Sequence, residues 1–157
     1  MNSSPKFSLF FLVGLLIFQS IGAIGGGLAL VISPSGALLQ MPLSLLEHSP
    51  FPNFLIPGLF LLCILGLLPG YTAYALIKRP DCRFFEYLNL DKEYHWSWSL
   101  AFAIGIILIL WIDFQVLFIR SIHLFHFIYS LLGTMIVFVT VLPATRQHLR
   151  IRNKQGD

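Results

Sequence analysis

Charge is what this chain has least of. Only 11% of its 157 residues are Asp, Glu, Lys or Arg, against about a quarter in soluble domains. Ten cationic and seven anionic side chains cannot clothe a soluble surface of this size. That excludes an ordinary cytosolic domain and a disordered tail. The net charge is only +3, and the basic residues sit in short flanking stretches, so a nucleic-acid binder is excluded as well. Cysteine is equally scarce. Cys63 and Cys82 form no CxxC pair, which argues against disulfide exchange chemistry. Along a helix their spacing is roughly 28 Å, beyond disulfide reach. Cys63 reads as a core packing residue and Cys82 as a thiol just past a span. There is no HExxH, no phosphate loop, no Ser-His-Asp ordering and no pair of catalytic carboxylates. The expectation is a protein that is not an enzyme and carries no cofactor or metal.

Apolar residues make up 57% of the chain, and the mean hydropathy is +0.81. They fall in four runs, residues 7–32, 54–77, 98–119 and 122–142. A hydrocarbon core about 30 Å thick needs about 20 helical residues, and every run is long enough. No ten-residue stretch alternates with a period of two, which excludes a transmembrane β-barrel. Backbone groups in lipid must bond within their own segment, so the runs predict helices. The fold class is therefore an all-α membrane protein, residues 1–157 forming one antiparallel bundle of four transmembrane helices. The first run exceeds the usual signal-peptide apolar stretch of about 7–15 residues and lacks a clean small-x-small site, so it reads as a retained span.

Lysine and arginine set orientation. Lys6, the second loop (Lys78, Arg79, Arg83, Lys92) and the tail (Arg146, Arg150, Arg152, Lys154) hold nine of the ten cations, and Arg120 stands alone on the other side. This predicts a multi-pass protein of the inner (plasma) membrane, N-in and C-in, with residues 143–157 as a basic cytoplasmic tail that touches anionic lipid.

The connections carry their own signals. The first loop, residues 33–53, is too apolar to be a free aqueous loop. Pro42 suits a first helical turn and Pro50 ends one, so a short helix over 42–47 should lie in the outer headgroup region. It reads as a cap over the bundle, with a re-entrant segment as the other possibility. In the second loop Phe84, Phe85 and Leu88 share a helical face, which predicts an interfacial helix. Tyr94, Trp96 and Trp98 mark the aromatic belt. Small residues spaced for close helix packing are Gly22/Gly26, Ala23/Gly27 and Ala101/Gly105.

Ionisable groups inside spans need an account. Folding the last two spans about residue 120 brings Asp113 level with His126, with Gln115 near by. Topology adds Arg120 and His123, and the outer loop adds Glu47 and His48. Three chemistries compete for this cluster. Asp113 could pair with Arg120 or His126 as a structural ion pair. Glu47, His48, Asp113, His123 and His126 could hold a divalent metal. Asp113 and His126 could form a proton- or ion-coupled site. Haem is disfavoured, because only the fourth span carries intramembrane histidines.

The stretch 34–51 continuing into 55–59, and the later patch Trp111-Ile112-Asp113-Phe114-Gln115-Val116, resemble segments of small bacterial four-span integral membrane proteins of an uncharacterised family. The resemblance implies a bacterial inner membrane and no mechanism. The position of Asp113 is often apolar in that group. The expected function is a structural or accessory membrane subunit that acts by helix packing. Its partners are the lipid bilayer and a further copy or a membrane complex, with no nucleic acid. The alternative is a transporter or channel-like protein working through Asp113 and His126.

Overall fold

The computed structural model describes residues 5–120 and 124–151. Helix α1 (Pro5–Ile32) is the first span. The second span, Leu55–Lys78, is built from α2 (Leu55–Leu62), a π-helical turn (Cys63–Leu67) and α3 (Leu68–Lys78). The short helix α4 (Arg83–Tyr87) precedes the third span, α5 (Trp96–Ile119). The fourth span is α6 (Leu124–Val141), and α7 (Pro143–Leu149) closes the described chain. These four helices are long and apolar enough to cross a membrane. No strand occurs among the described residues beyond one isolated bridge, Tyr94 with Arg150. The all-α bundle expected from composition is what forms, with span ends shifted by one or two residues.

The π turn has a chemical cause. In α-helical register the Leu65 carbonyl would accept from residue 69, which is proline and has no N–H. The helix widens instead, and the Leu68 N–H reaches back five residues to the Cys63 carbonyl. In lipid the carbonyls left over need donors. Helix α1 supplies them: Gln19 Nε2 donates to the Leu65 carbonyl (3.1 Å) and Ser20 Oγ to that of Gly66 (2.8 Å).

Those bonds require a close crossing. A Cβ on Gly27 would stand 2.7 Å from the Leu62 backbone nitrogen. The triple glycine of α1 therefore does not break the helix, which runs unbroken to Ile32. The hairpin of α5 and α6 uses the same device, since a Cβ on Gly105 or on Gly133 would stand 3.1 Å from the other's carbonyl oxygen. Ala101 is fully buried beside that crossing. Cys63 is exposed rather than packed in the core, because the π turn places it on the outer surface of the bundle.

A lid covers one end. It holds two 3₁₀ turns, Ala37–Leu39 and Leu43–Leu46, the second falling where a short helix over 42–47 is expected. Gly36 turns the chain at φ 79°, and a Cβ there would collide with the Met41 carbonyl oxygen at 2.2 Å. Phe54 N–H donates to the Pro34 carbonyl and ties the two ends of the lid together. Met41, Leu45 and Leu46 then roof an apolar slot above Leu30, Phe54, Trp111 and Phe114. The loop is a cap, as its apolar sequence suggests.

At the opposite, basic end, α7 packs on α1. His95 N–H donates to the Leu149 carbonyl and Ile151 N–H to that of Glu93. The Arg146 guanidinium lies 4.9 Å from the Trp98 ring centre and 5.5 Å from that of Tyr94. Phe85 of α4 stacks on Trp96 at 4.8 Å, which docks the interfacial helix. His95 caps α5 and pairs through Nδ1 with Ser97 Oγ at 2.8 Å. Burial holds its pKa below the ordinary histidine value, against the pull of the Pro80 carbonyl and the Glu86 carboxylate. His148 is also pushed down, by burial and then by the Arg79 and Lys6 cations.

Two expectations follow. Gly27→Val should destabilise the protein by about 1–3 kcal/mol through overpacking against Leu62. Gly25→Ala, where nothing lies within 4 Å of the new methyl, should be neutral or stabilising, and thermal unfolding in detergent checks both. The folded state binds protons at His95 and His148 less tightly than the unfolded chain does. Their contribution is therefore complete above about pH 6.5 and is lost as pH falls through and below that value. The melting temperature should drop between pH 7 and pH 5, and the double variant His95→Gln/His148→Gln should flatten that slope.

Candidate functional site

A cavity of about 460 Å³ lies between α1, α5 and α6, on the lid side of the Gln19–Leu65 bond. Gln19 is 14 residues from Pro5 and 13 from Ile32, so the floor of the cavity sits near mid-membrane, roughly 20 Å from either end of α1. Helix α1 contributes Gln19, Gly22, Ala23 and Gly26, and Leu39 of the lid closes the top. Leu61 comes from α2, and Leu108, Trp111, Ile112 and Gln115 come from α5. Phe125, His126 and Tyr129 of α6 complete the wall.

Gln19 carries the polarity of the floor. A carbonyl can only accept, so the bond to Leu65 fixes which end of the amide is nitrogen. The Oε1 atom is thereby committed to the other direction, and it is buried with no hydrogen-bond partner. Trp111 Nε1 is the second buried group of the cavity wall without a partner. Its ring is held by stacking on Phe60, centroids 4.4 Å apart. Both atoms are closed over by their neighbours and are left unbonded inside the packed bundle. Buried polar groups are nearly always satisfied, and an orphan calls for an explanation.

The glycines let neighbouring side chains close in on α1. A Cβ on Gly22 would stand 2.7 Å from Tyr129 Oη, and one on Gly26 3.3 Å from the Leu61 side chain. Gly22 and Gly26 therefore face the cavity, while their neighbour Gly27 faces the helix crossing. No Asp, Glu, Lys or Arg lines the space.

The structure divides the expected polar cluster. His126 is buried and lines the cavity, and Gln115 lines both the cavity and the slot beneath the lid. Asp113 is exposed on the outer surface of α5 and makes no ion pair among the described residues. Depth alone put Asp113 beside His126, but its angular position on α5 turns it away. Arg120 ends α5 in the left-handed conformation at φ 53° and is exposed. Glu47 and His48 are exposed on the lid. His123 lies outside the described residues. No group of three or more His, Cys, Asp or Glu side chains suited to a metal occurs among the described residues.

Sequence reasoning missed Gln19 and Trp111 as site residues. The signal for Gln19 was Pro69: a proline inside a span frees a carbonyl, and a neighbouring span must answer with a donor. No family model, curated protein or solved structure matches the chain.

An exposed carboxylate about 9 Å in from the end of α5 is costly in lipid. Asp113→Leu should therefore stabilise the reconstituted protein by about 1–2 kcal/mol, seen as a raised melting temperature in lipid nanodiscs. A loss of stability would instead mean that the carboxylate has a partner.

Proposed function

We propose that this chain is a small accessory protein of the inner (plasma) membrane that binds a small neutral molecule in the cavity between α1, α5 and α6. The observation that carries this reading is the cavity itself, walled by Gln19, Gln115, His126 and Tyr129 among apolar side chains and by no Asp, Glu, Lys or Arg. The volume of about 460 Å³ falls within the ordinary range of ligand pockets, about 300–1,000 Å³. The absence of a charged lining favours a neutral guest, since an unpaired charge is costly in an apolar site. Both termini are assigned to the cytoplasmic side on the distribution of lysine and arginine. The likeness to small bacterial four-span proteins supports the same placement. A coupled pathway through Asp113 has less support, because that carboxylate stands outside the cavity.

A second reading, action through helix packing with another subunit, is favoured by Gly14 and Gly25. Both are exposed on α1 with open space where a Cβ would stand, which suits the close approach of another helix.

Cavity access tests the binding reading. In a Cys63→Ala/Cys82→Ser background, Gln115→Cys places a thiol in the half-buried cavity wall, and Ala101→Cys places one in the packed core. A small neutral thiol reagent should modify the Gln115→Cys protein at least about tenfold faster, because buried cysteines are otherwise inert. Equal rates would overturn the assignment.

A further inference from the structure

Several cations of the basic end are engaged by protein groups, and two that are not converge on one corner. Arg146 lies over the Tyr94 and Trp98 rings, Arg150 pairs with Glu93 at 3.4 Å, and Lys92 Nζ donates to the Glu86 carbonyl. Lys6 and Arg79 are exposed and make no ion pair among the described residues. Arg79 ends the second span in the left-handed conformation at φ 50°, and its guanidinium donates to the His148 carbonyl of α7. Helix α7 in turn packs on α1. The register of the first crossing places Lys6. Gly70 meets Ser20 and Gly66 meets Ile24, so Arg79 comes about level with Phe11 of α1, and Lys6 lies roughly 8 Å further out. Three elements thus bring Lys6, Arg79 and the half-buried His148 together. The two charges that act on His148 are the Arg79 and Lys6 cations, whereas the Glu86 and Asp81 carboxylates act on His95. Asp81, two residues past Arg79, forms no ion pair with it. Like charges gathered in this way repel, and an anion between them relieves the repulsion. Depth says which anion. Lys6 opens the first span and Arg79 follows the last residue of the second, so the corner stands at the level of lipid headgroups. Phe10, one turn inward of Lys6 on the same helix face, is 61% exposed. A cation at headgroup level with an exposed ring inward of it matches a phospholipid, whose phosphate lies outward of its acyl chains.

We infer that an anionic phospholipid docks at this corner, with its phosphate between Lys6 and Arg79 beside α7 and an acyl chain along Phe10. The site is separate from the cavity and does not depend on the binding reading above. A zwitterionic lipid brings its own cation to two protein cations, so selection falls on net headgroup charge. The anchor expected in the basic tail is thereby relocated. Arg146 and Arg150 of that tail are held by protein groups, and the cations that meet lipid here come from the first two spans.

The test uses the full chain in a neutral detergent, titrated with pyrene-acyl phosphatidylglycerol or with phosphatidylcholine of the same chains. Energy transfer to pyrene from the native tryptophans, two of which (Trp96 and Trp98) stand at the basic end, reads binding. Phosphatidylglycerol should bind saturably, at one site per chain and at least about fivefold more tightly than phosphatidylcholine, roughly the share of one cation. Lys6→Gln should weaken phosphatidylglycerol at least about threefold and leave phosphatidylcholine within about twofold, while Lys6→Arg should keep the preference. Arg83→Gln removes the same charge from α4 and should leave phosphatidylglycerol within about twofold. Lys6 is exposed and unpaired among the described residues, so its variants answer the question even where Arg79→Gln, which strips the His148 carbonyl of its donor, fails to fold. Equal binding of the two lipids would overturn the inference. So would equal losses in Lys6→Gln and Arg83→Gln, which mark a diffuse attraction rather than a site. Displacement of the labelled lipid by glycerol phosphate as effectively as by unlabelled phosphatidylglycerol would overturn it too, since the ligand would then be a soluble phosphate.

Discussion

A backbone carbonyl without a donor is intolerable in the middle of a membrane, and this structure is arranged around one. Pro69 cannot supply the N–H that the Leu65 carbonyl would take in a regular helix. The second span yields by one residue at Cys63–Leu67, and the first span reaches across with Gln19 and Ser20. That contact forces α1 against α2 and α3 at a distance that only glycine permits, at Gly27 on one helix and at Gly58 and Gly66 on the other. Packing, polar satisfaction and the bend of the second span are thus one solution to one problem. The solution also spends only half of the Gln19 amide. The unused oxygen is left buried without a partner.

Much of the architecture could be read from the residues alone. Run length and the lack of charge define four crossings, because the bilayer sets a minimum apolar length. Pro42, Pro50 and the apolar character of the first loop point to a cap, and Phe84, Phe85 and Leu88 to an interfacial helix. Small-residue spacing marked Ala23/Gly27 and Ala101/Gly105, both of which lie at close crossings or in the buried interior. What the pattern could not supply was rotation about each helix axis. Spans that are apolar all round carry little directional signal, so Cys63 read as core and Asp113 as a neighbour of His126, while both are exposed.

The site was harder to see for a different reason. Charge attracts attention in an apolar sequence, and Asp113, Arg120, Glu47 and His48 drew it. All four are exposed. In the cavity wall the groups with unmet hydrogen bonds are neutral, a glutamine and an indole, and neither is unusual in composition. Glutamine at the middle of a span is nonetheless expensive unless bonded, so pairing it with an intraspan proline is a usable rule. It asks which neighbouring carbonyl has lost its donor before it asks which residue is charged.

The glycine cluster of α1 shows how one short segment can serve both ends. Successive residues on a helix point about 100° apart, so Gly26 and Gly27 cannot face the same neighbour. Gly27 brings the second span into backbone contact. Gly26, with Gly22 one turn earlier, borders the cavity and lets Leu61 and Tyr129 pack close to α1. Larger side chains at Gly22 and Gly26 would press on Tyr129 and Leu61, and one at Gly27 would part the first two spans. Small residues on two faces of one helix thus let α1 approach the second span and α6 at once, and dispersion contacts at such approaches are what hold helices together in lipid.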